Sequence, residues 1–195
     1  RAAAVTQRRN RPPSTGRVNA VRAAAGLHAS LPSTRRGGVP DPDIEIIRVD
    51  FDDADAVRQY LDMLDAYAID PMGAGQHLSA EVRDRLLDDL RQMPGAHCLL
   101  VRHGDSPIGF ATCFTGYSTF RARPLLNIHD IAVLPEWRGQ SVGRHLLAAI
   151  AELGRKLDCC RITLEVRADN PGARGLYESS GFVPAPCSLF MEKPL

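Results

Sequence analysis

The residues best suited to chemistry lie close together in the second half of the chain. Arg138-Gly139-Gln140-Ser141-Val142-Gly143-Arg144 follows an apolar run ending at Val133 and a bend at Leu134-Pro135. It leads directly into an apolar-periodic segment. A strand, a glycine-containing loop and a helix start, in that order, suit a phosphate. The first N–H groups of a helix have no partner within it, and the dipole is positive at that end. Three readings apply: an ordinary turn, a nucleotide P-loop, or a cradle for a diphosphate. A P-loop needs Lys-Ser/Thr after its last glycine, and that pair is missing here.

Four side chains nearby have useful chemistry. His129 has a ring whose pKa near neutrality suits a base or a water-orienting group. Asp130 follows it, and strand alternation sets the two on opposite faces of a sheet. Asp130 then orients a substrate or caps a hydrogen-bond network. Tyr177 lies seven residues after Asn170 on the same helical segment. Its hydroxyl can donate a proton, although a helical tyrosine is more often a core residue. Glu165 ranks below these as a water-holding group. A lone histidine in a strand is more often a hydrogen-bonded structural residue.

The elements that must position these groups follow from pattern. Asp43–Val49 reads as a first strand. Asp52 or Asp53 caps a helix to about Ala68, with Val57, Leu61, Leu64 and Ala68 on its apolar face. Ser79 caps a second helix carrying Val82, Leu86, Leu87 and Leu90, which ends near Pro94-Gly95. Ala96–Arg102 and Ile108–Tyr117 form an antiparallel hairpin. Leu125–Val133 is apolar enough to be a strand covered on both faces. Val142–Leu157 is a helix and Arg161–Val166 a strand. Asn170-Pro171 opens a last helix that stops at Gly181. Phe182–Glu192 reads as a terminal hairpin. Strands alternate with helices only in the second half, so the sheet is expected to be mixed.

Composition limits the partners. The 195 residues hold 24 basic and 23 acidic side chains. Eight arginines and no acid fall in residues 1–40, which leaves residues 41–195 with a formal charge of −7. Such a body repels nucleic acid and draws cations. Eleven acids against three arginines lie between Asp50 and Asp89. They form either a solvated helix face or a wall that attracts an amine. Residues 1–40 are basic, rich in Ala, Ser and Pro, and expected to be a disordered extension. A transit peptide, an expression remnant and a basic arm are the other readings, and the missing initial Met fits a trimmed or partial chain. No apolar run approaches the roughly 20 residues of a membrane span. Five cysteines in no paired motif indicate thiols in a reducing, cytoplasmic setting, with no metal site.

Arg138-x-x-Ser141-x-Gly143 resembles the Arg/Gln-x-x-Gly-x-Gly/Ala signature of the GCN5-related N-acetyltransferases. Ser141 stands where that family has its first glycine. The resemblance covers residues 44–195 and includes the element order, Asn170, and the Tyr177 to Gly181-Phe182 helix end. It implies a three-layer α+β fold: a mixed, mostly antiparallel sheet of six to seven strands flanked by about four helices. It implies acetyl-CoA as donor and a primary amine of a small molecule as acceptor. Protein N-termini or lysines, or acyl-CoA binding without catalysis, are the alternatives. By position, Ile131, Ala132 and Val133 carry over to the pantetheine arm, Arg138 to Arg144 to the diphosphate, and Asn170 to the arm. Tyr177 carries over as the acid for the leaving thiolate. Gly116–Phe120, Asp130-Ile131 and Leu176-Tyr177-Glu178 look like the polyamine and thialysine branch. That branch has an acid where this chain has His129, so one carboxylate is gone from the acceptor side. Members of the family often form homodimers.

Overall fold

The computed structural model describes residues 43–185, 191 and 193. The extension read from residues 1–40 lies outside these. Five strands form one sheet in the order β1-β2-β3-β4-β5. They are β1 (Ile44–Arg48), β2 (Ala96–His103), β3 (Ser106–Ser118), β4 (Arg123–Val133) and β5 (Ile162–Leu164). The first four pair antiparallel in sequence order, and β5 joins β4 in parallel. The expected six to seven strands are five among the described residues. Residues 182–185 carry no strand, and 186–190 and 192 lie outside the described set.

Four helices cover the sheet: α1 (Ala54–Ala68), α2 (Ala80–Gln92), α3 (Val142–Lys156) and α4 (Pro171–Ser179). Their starts follow the sequence. Asp53 accepts the N–H groups of Asp55 and Ala56, Ser79 accepts that of Val82, and Asn170 accepts that of Ala173. Each carboxylate, hydroxyl or amide oxygen satisfies a donor that the helix leaves unpaired.

Alternation along β2 splits the core in two. Leu99 and Val101 join Leu126, Ile128, Leu146 and Ile150 on the α3 side. Cys98 and Leu100 join Tyr60, Met63 and Phe110 on the α1 side. The sheet therefore has an apolar layer on each face, as three layers require. The apolar face of α1 is rotated from the expected one. Ala56, Tyr60, Met63 and, as expected, Ala68 are buried, and Val57, Leu64 and Tyr67 pack against that core from the side. The rings of Tyr60 and Tyr67 pack on Phe110, at 5.7 and 6.0 Å. Val82 of α2 is exposed, and only Leu90 of that helix is buried.

Candidate active site

One irregularity in β4 shapes the site. Thr112 pairs with Asp130 and Cys113 with Ile128, so His129 has no partner on β3. It is the extra residue of a β-bulge. Before it, Leu126 and Ile128 face the α3 layer; after it, Ile131 and Val133 do. The bulge changes which face odd-numbered residues occupy. It also corrects the expected opposition of His129 and Asp130. The His129 ring packs edge-on to Phe114 at 5.5 Å, and Phe114 belongs to the α1 layer. Asp130 pairs with Thr112, whose hydroxyl meets the Tyr60 hydroxyl of that same layer at 2.7 Å. Both side chains thus share one face. Burial raises the Asp130 pKa, against the opposing pull of His129 and the Thr112 hydroxyl.

The bulge also ends the sheet's last pairing. β5 meets β4 only at Leu126, Asn127 and Ile128. The expected strand Arg161–Val166 is therefore shortened to three residues. Beyond Ile128 that edge of β4 has no strand beside it among the described residues. A cleft of about 620 Å³ opens there, between the end of β4, the N-terminus of α3 and helix α4.

Most of the sequence-derived site residues line this cleft: Ile131, Ala132, Val133, Arg138, Gly139, Ser141, Val142, Gly143, Arg144, Asn170 and Tyr177. Three do not. Gln140 turns its amide to the Glu136 carbonyl at 2.8 Å. His129 and Asp130 sit at the bulge, just short of the lining at Ile131. The loop is built for close approach. Gly139 has φ +77°, and Ser141 has φ +66° with no side-chain cap bond. Ser141 therefore adopts the left-handed backbone that a glycine takes without strain. A Cβ on Gly143 would lie 2.9 Å from Leu176 Cδ2, so a larger residue at the start of α3 would make the Leu176 side chain of α4 turn aside.

Tyr177 is buried and its hydroxyl pKa is pushed up to about 12, first by burial and then by Tyr67. It holds its proton at neutral pH. Tyr67 lines the cleft too, its ring 6.0 Å from that of Phe110. Burial raises its pKa, with Asp130 and Asp70 adding and Arg167 opposing. Asp70 completes this wall and binds Arg138 Nη2 at 2.9 Å. Trp137 and Met72 line the cleft as well. Sequence reading missed all of these. The signal for Tyr67 was available in the stripe Ala56, Tyr60, Met63, Tyr67, spaced four, three and four. Asp70 carried no such signal, because its partner lies 68 residues away.

A cleft with free strand edge on one side, helix N–H groups at one end and a protonated phenol in its wall fits a thioester carrier with an anionic tail. The acetyltransferase (GNAT) family model matches residues 60–182. The chain belongs to that family. It is an acyltransferase by that membership, with acetyl-CoA as donor. A candidate ribosomal-protein-alanine N-acetyltransferase of Bacillus subtilis is 32% identical over 57% of this chain and 70% of its own length. The thialysine N-epsilon-acetyltransferase of Bos taurus is 29% identical over 48% of this chain and 59% of its own. Among solved structures, AAC(6')-Iy with the bisubstrate analogue CoA-S-monomethyl-acetylneamine superposes with a TM-score of 0.65. That match covers 78% of this chain and 99% of the other at 15% identity, and it shows a shared fold.

Proposed function

We propose that this protein transfers an acetyl group from acetyl-CoA to a primary α-amino group, by direct attack in a ternary complex. The observation that carries this reading is the absence of a competent base in the cleft lining. Its one carboxylate, Asp70, is bound by Arg138 and by the Met72 N–H, and these hold its pKa below the usual range. An alkyl ammonium with a pKa near 10.4 needs a strong proton acceptor before it can attack; an α-amine near 8 is partly neutral already. The likeness to the Bacillus protein agrees with an N-terminal amine, and likeness to the thialysine enzyme keeps a small-molecule amine as the second reading.

The acidic helices, read from the sequence as either a solvated face or a wall that attracts an amine, give little support to the second of these. Arg58 pairs with Asp55 and Asp62, Arg83 with Asp62 and Asp65, and Arg85 with Glu81 and Asp89, all on partly or largely exposed surface. They behave as a solvated, self-paired face.

When bound, acetyl-CoA supplies the activated acyl group. The chain's own residues do the rest in this reading. Backbone groups of Ile131–Val133 align the pantetheine arm, and the N–H groups of Val142, Gly143 and Arg144 hold the diphosphate. Tyr177 gives its proton to the departing sulfur. Asp130 orients the acceptor from beside the lining, and His129, against Phe114 on the same face, takes only the proton that the already neutral amine sheds after it has attacked. The domain is taken as residues 44–195, in a reducing, cytoplasmic setting.

A thiol-release assay with acetyl-CoA tests the acceptor. Its arms are a peptide with a free N-terminal alanine, the same peptide blocked at its N-terminus with one lysine, and thialysine. Turnover is expected on the first, rising with pH through about 8 as the amine loses its proton. Turnover confined to the lysine peptide or thialysine would overturn the α-amine assignment.

A further inference from the structure

Asp70 lies in the loop after α1 and Arg138 in the phosphate loop, so their ion pair joins two walls of the cleft. The two partners are held unequally. Asp70 Oδ1 accepts the Met72 N–H at 2.8 Å and Oδ2 accepts Arg138 Nη2 at 2.9 Å. Its side chain is 15% exposed, that of Arg138 54%. The loop behind Asp70 is wound tight. Gly73 donates to the Asp70 carbonyl at 2.8 Å, and a Cβ on Gly73 would stand 2.1 Å from the Tyr67 carbonyl oxygen. The carboxylate is therefore fixed, and the guanidinium is the half that can turn. Arg138 also donates through Nε to the Val133 carbonyl at 3.0 Å, which leaves further N–H donors on the same group.

We propose that Asp70 is an internal competitor for Arg138, a carboxylate that holds the guanidinium until a diphosphate takes it. This rests on the phosphate loop being a diphosphate site. A diphosphate carries more charge than one carboxylate, and the helix N–H groups hold it in place, so it wins the arginine without displacing Asp70. Two consequences follow. Cofactor affinity is held below what the loop would otherwise reach, which speeds release of the product thiol. The loop after α1, with Tyr67 at its root, is uncoupled from the phosphate loop only when the cofactor is bound.

Calorimetry with CoA alone on the full chain tests this without an acceptor. Asp70→Asn is expected to tighten CoA about 1.5-fold to fivefold, the span that a half-exposed ion pair is worth. Dephospho-CoA, which keeps the diphosphate, is expected to show the same ratio. In an Arg138→Gln background the Asp70→Asn effect is expected to vanish. In the unaltered protein, CoA is expected to speed hydrogen exchange at the Gly73 amide and its loop. Asp70→Asn binding CoA equally or more weakly, or the same gain persisting without Arg138, would sink the proposal. If the unaltered protein takes up no CoA, it is the diphosphate site itself that fails.

Discussion

Burial beside another phenol pushes the Tyr177 hydroxyl up to about 12, so in the proposed reaction it meets the departing sulfur protonated, though as a weaker acid than a free phenol. Removing only the hydroxyl leaves the ring against Phe182, 5.8 Å away, so the fold is retained. Tyr177→Phe is expected to lower kcat about 100-fold, within the range for a positioned acid, with CoA affinity unchanged. Parallel turnover and calorimetry check this, and an unaltered kcat would remove Tyr177 from the chemistry. Ser141 makes a separate prediction. Its left-handed backbone costs about 1–2 kcal/mol, and glycine gives back about 0.5–1 kcal/mol of that as chain entropy. Ser141→Gly should therefore raise stability by about 0.5–1 kcal/mol in urea unfolding. A lower midpoint would mean that the hydroxyl holds the loop.

At the scale of elements, the bulge at His129 and the turn at Gly73 set the two sides of the cleft. The bulge fixes which residues of β4 reach the cleft, because a one-residue shift moves every later side chain to the other face. Gly73 fixes the loop carrying Asp70 and Met72. Gly73→Ala drives a methyl into the Tyr67 carbonyl, a backbone atom that cannot step aside. We expect a loss of about 1–3 kcal/mol, as for other overpacked sites, and weaker acceptor binding with it. Thermal unfolding together with the acceptor KM reads both. A Gly73→Ala protein with its stability and KM intact would show that the loop tolerates another course.

At the scale of the molecule, one buried ring contributes to acid sensitivity. His97 is 4% exposed, its Nε2 is bonded to Thr115 Oγ1 at 2.8 Å, and its Nδ1 has no partner. Burial, helped by the charge of Arg48, lowers its pKa from 6.5 to about 4. The unfolded chain therefore binds this proton more readily than the folded one. Stability is full above pH 6.5 and falls as pH drops from 6.5 towards 4. Asp65 and Asp70, with pKa values below 3.8, lose their contributions only in stronger acid. Urea midpoints at pH 7.5 and 4.5 should differ for the natural chain and differ less for His97→Gln. Equal differences in both would assign the acid sensitivity elsewhere. No helix among the described residues is long and apolar enough to cross a membrane.

The sequence alone determined the local parts: the helix caps at Ser79 and Asn170, a cap at Asp52 or Asp53 that the structure places at Asp53, the β2–β3 hairpin, and a glycine-containing loop running into α3. Each depends on neighbours a few residues apart, so its physics is written in adjacent letters. Only tertiary structure decided the rest. The bulge exists because β3 and β4 must pair on both sides of His129, and strand alternation carries no trace of that misfit. The short β5, and the cleft it leaves open, follow from the same bend. Tyr67 and Asp70 joined the site through contacts with Phe110 and Arg138, tens of residues distant. Long-range packing of this kind depends on how whole faces meet, and no local period encodes it.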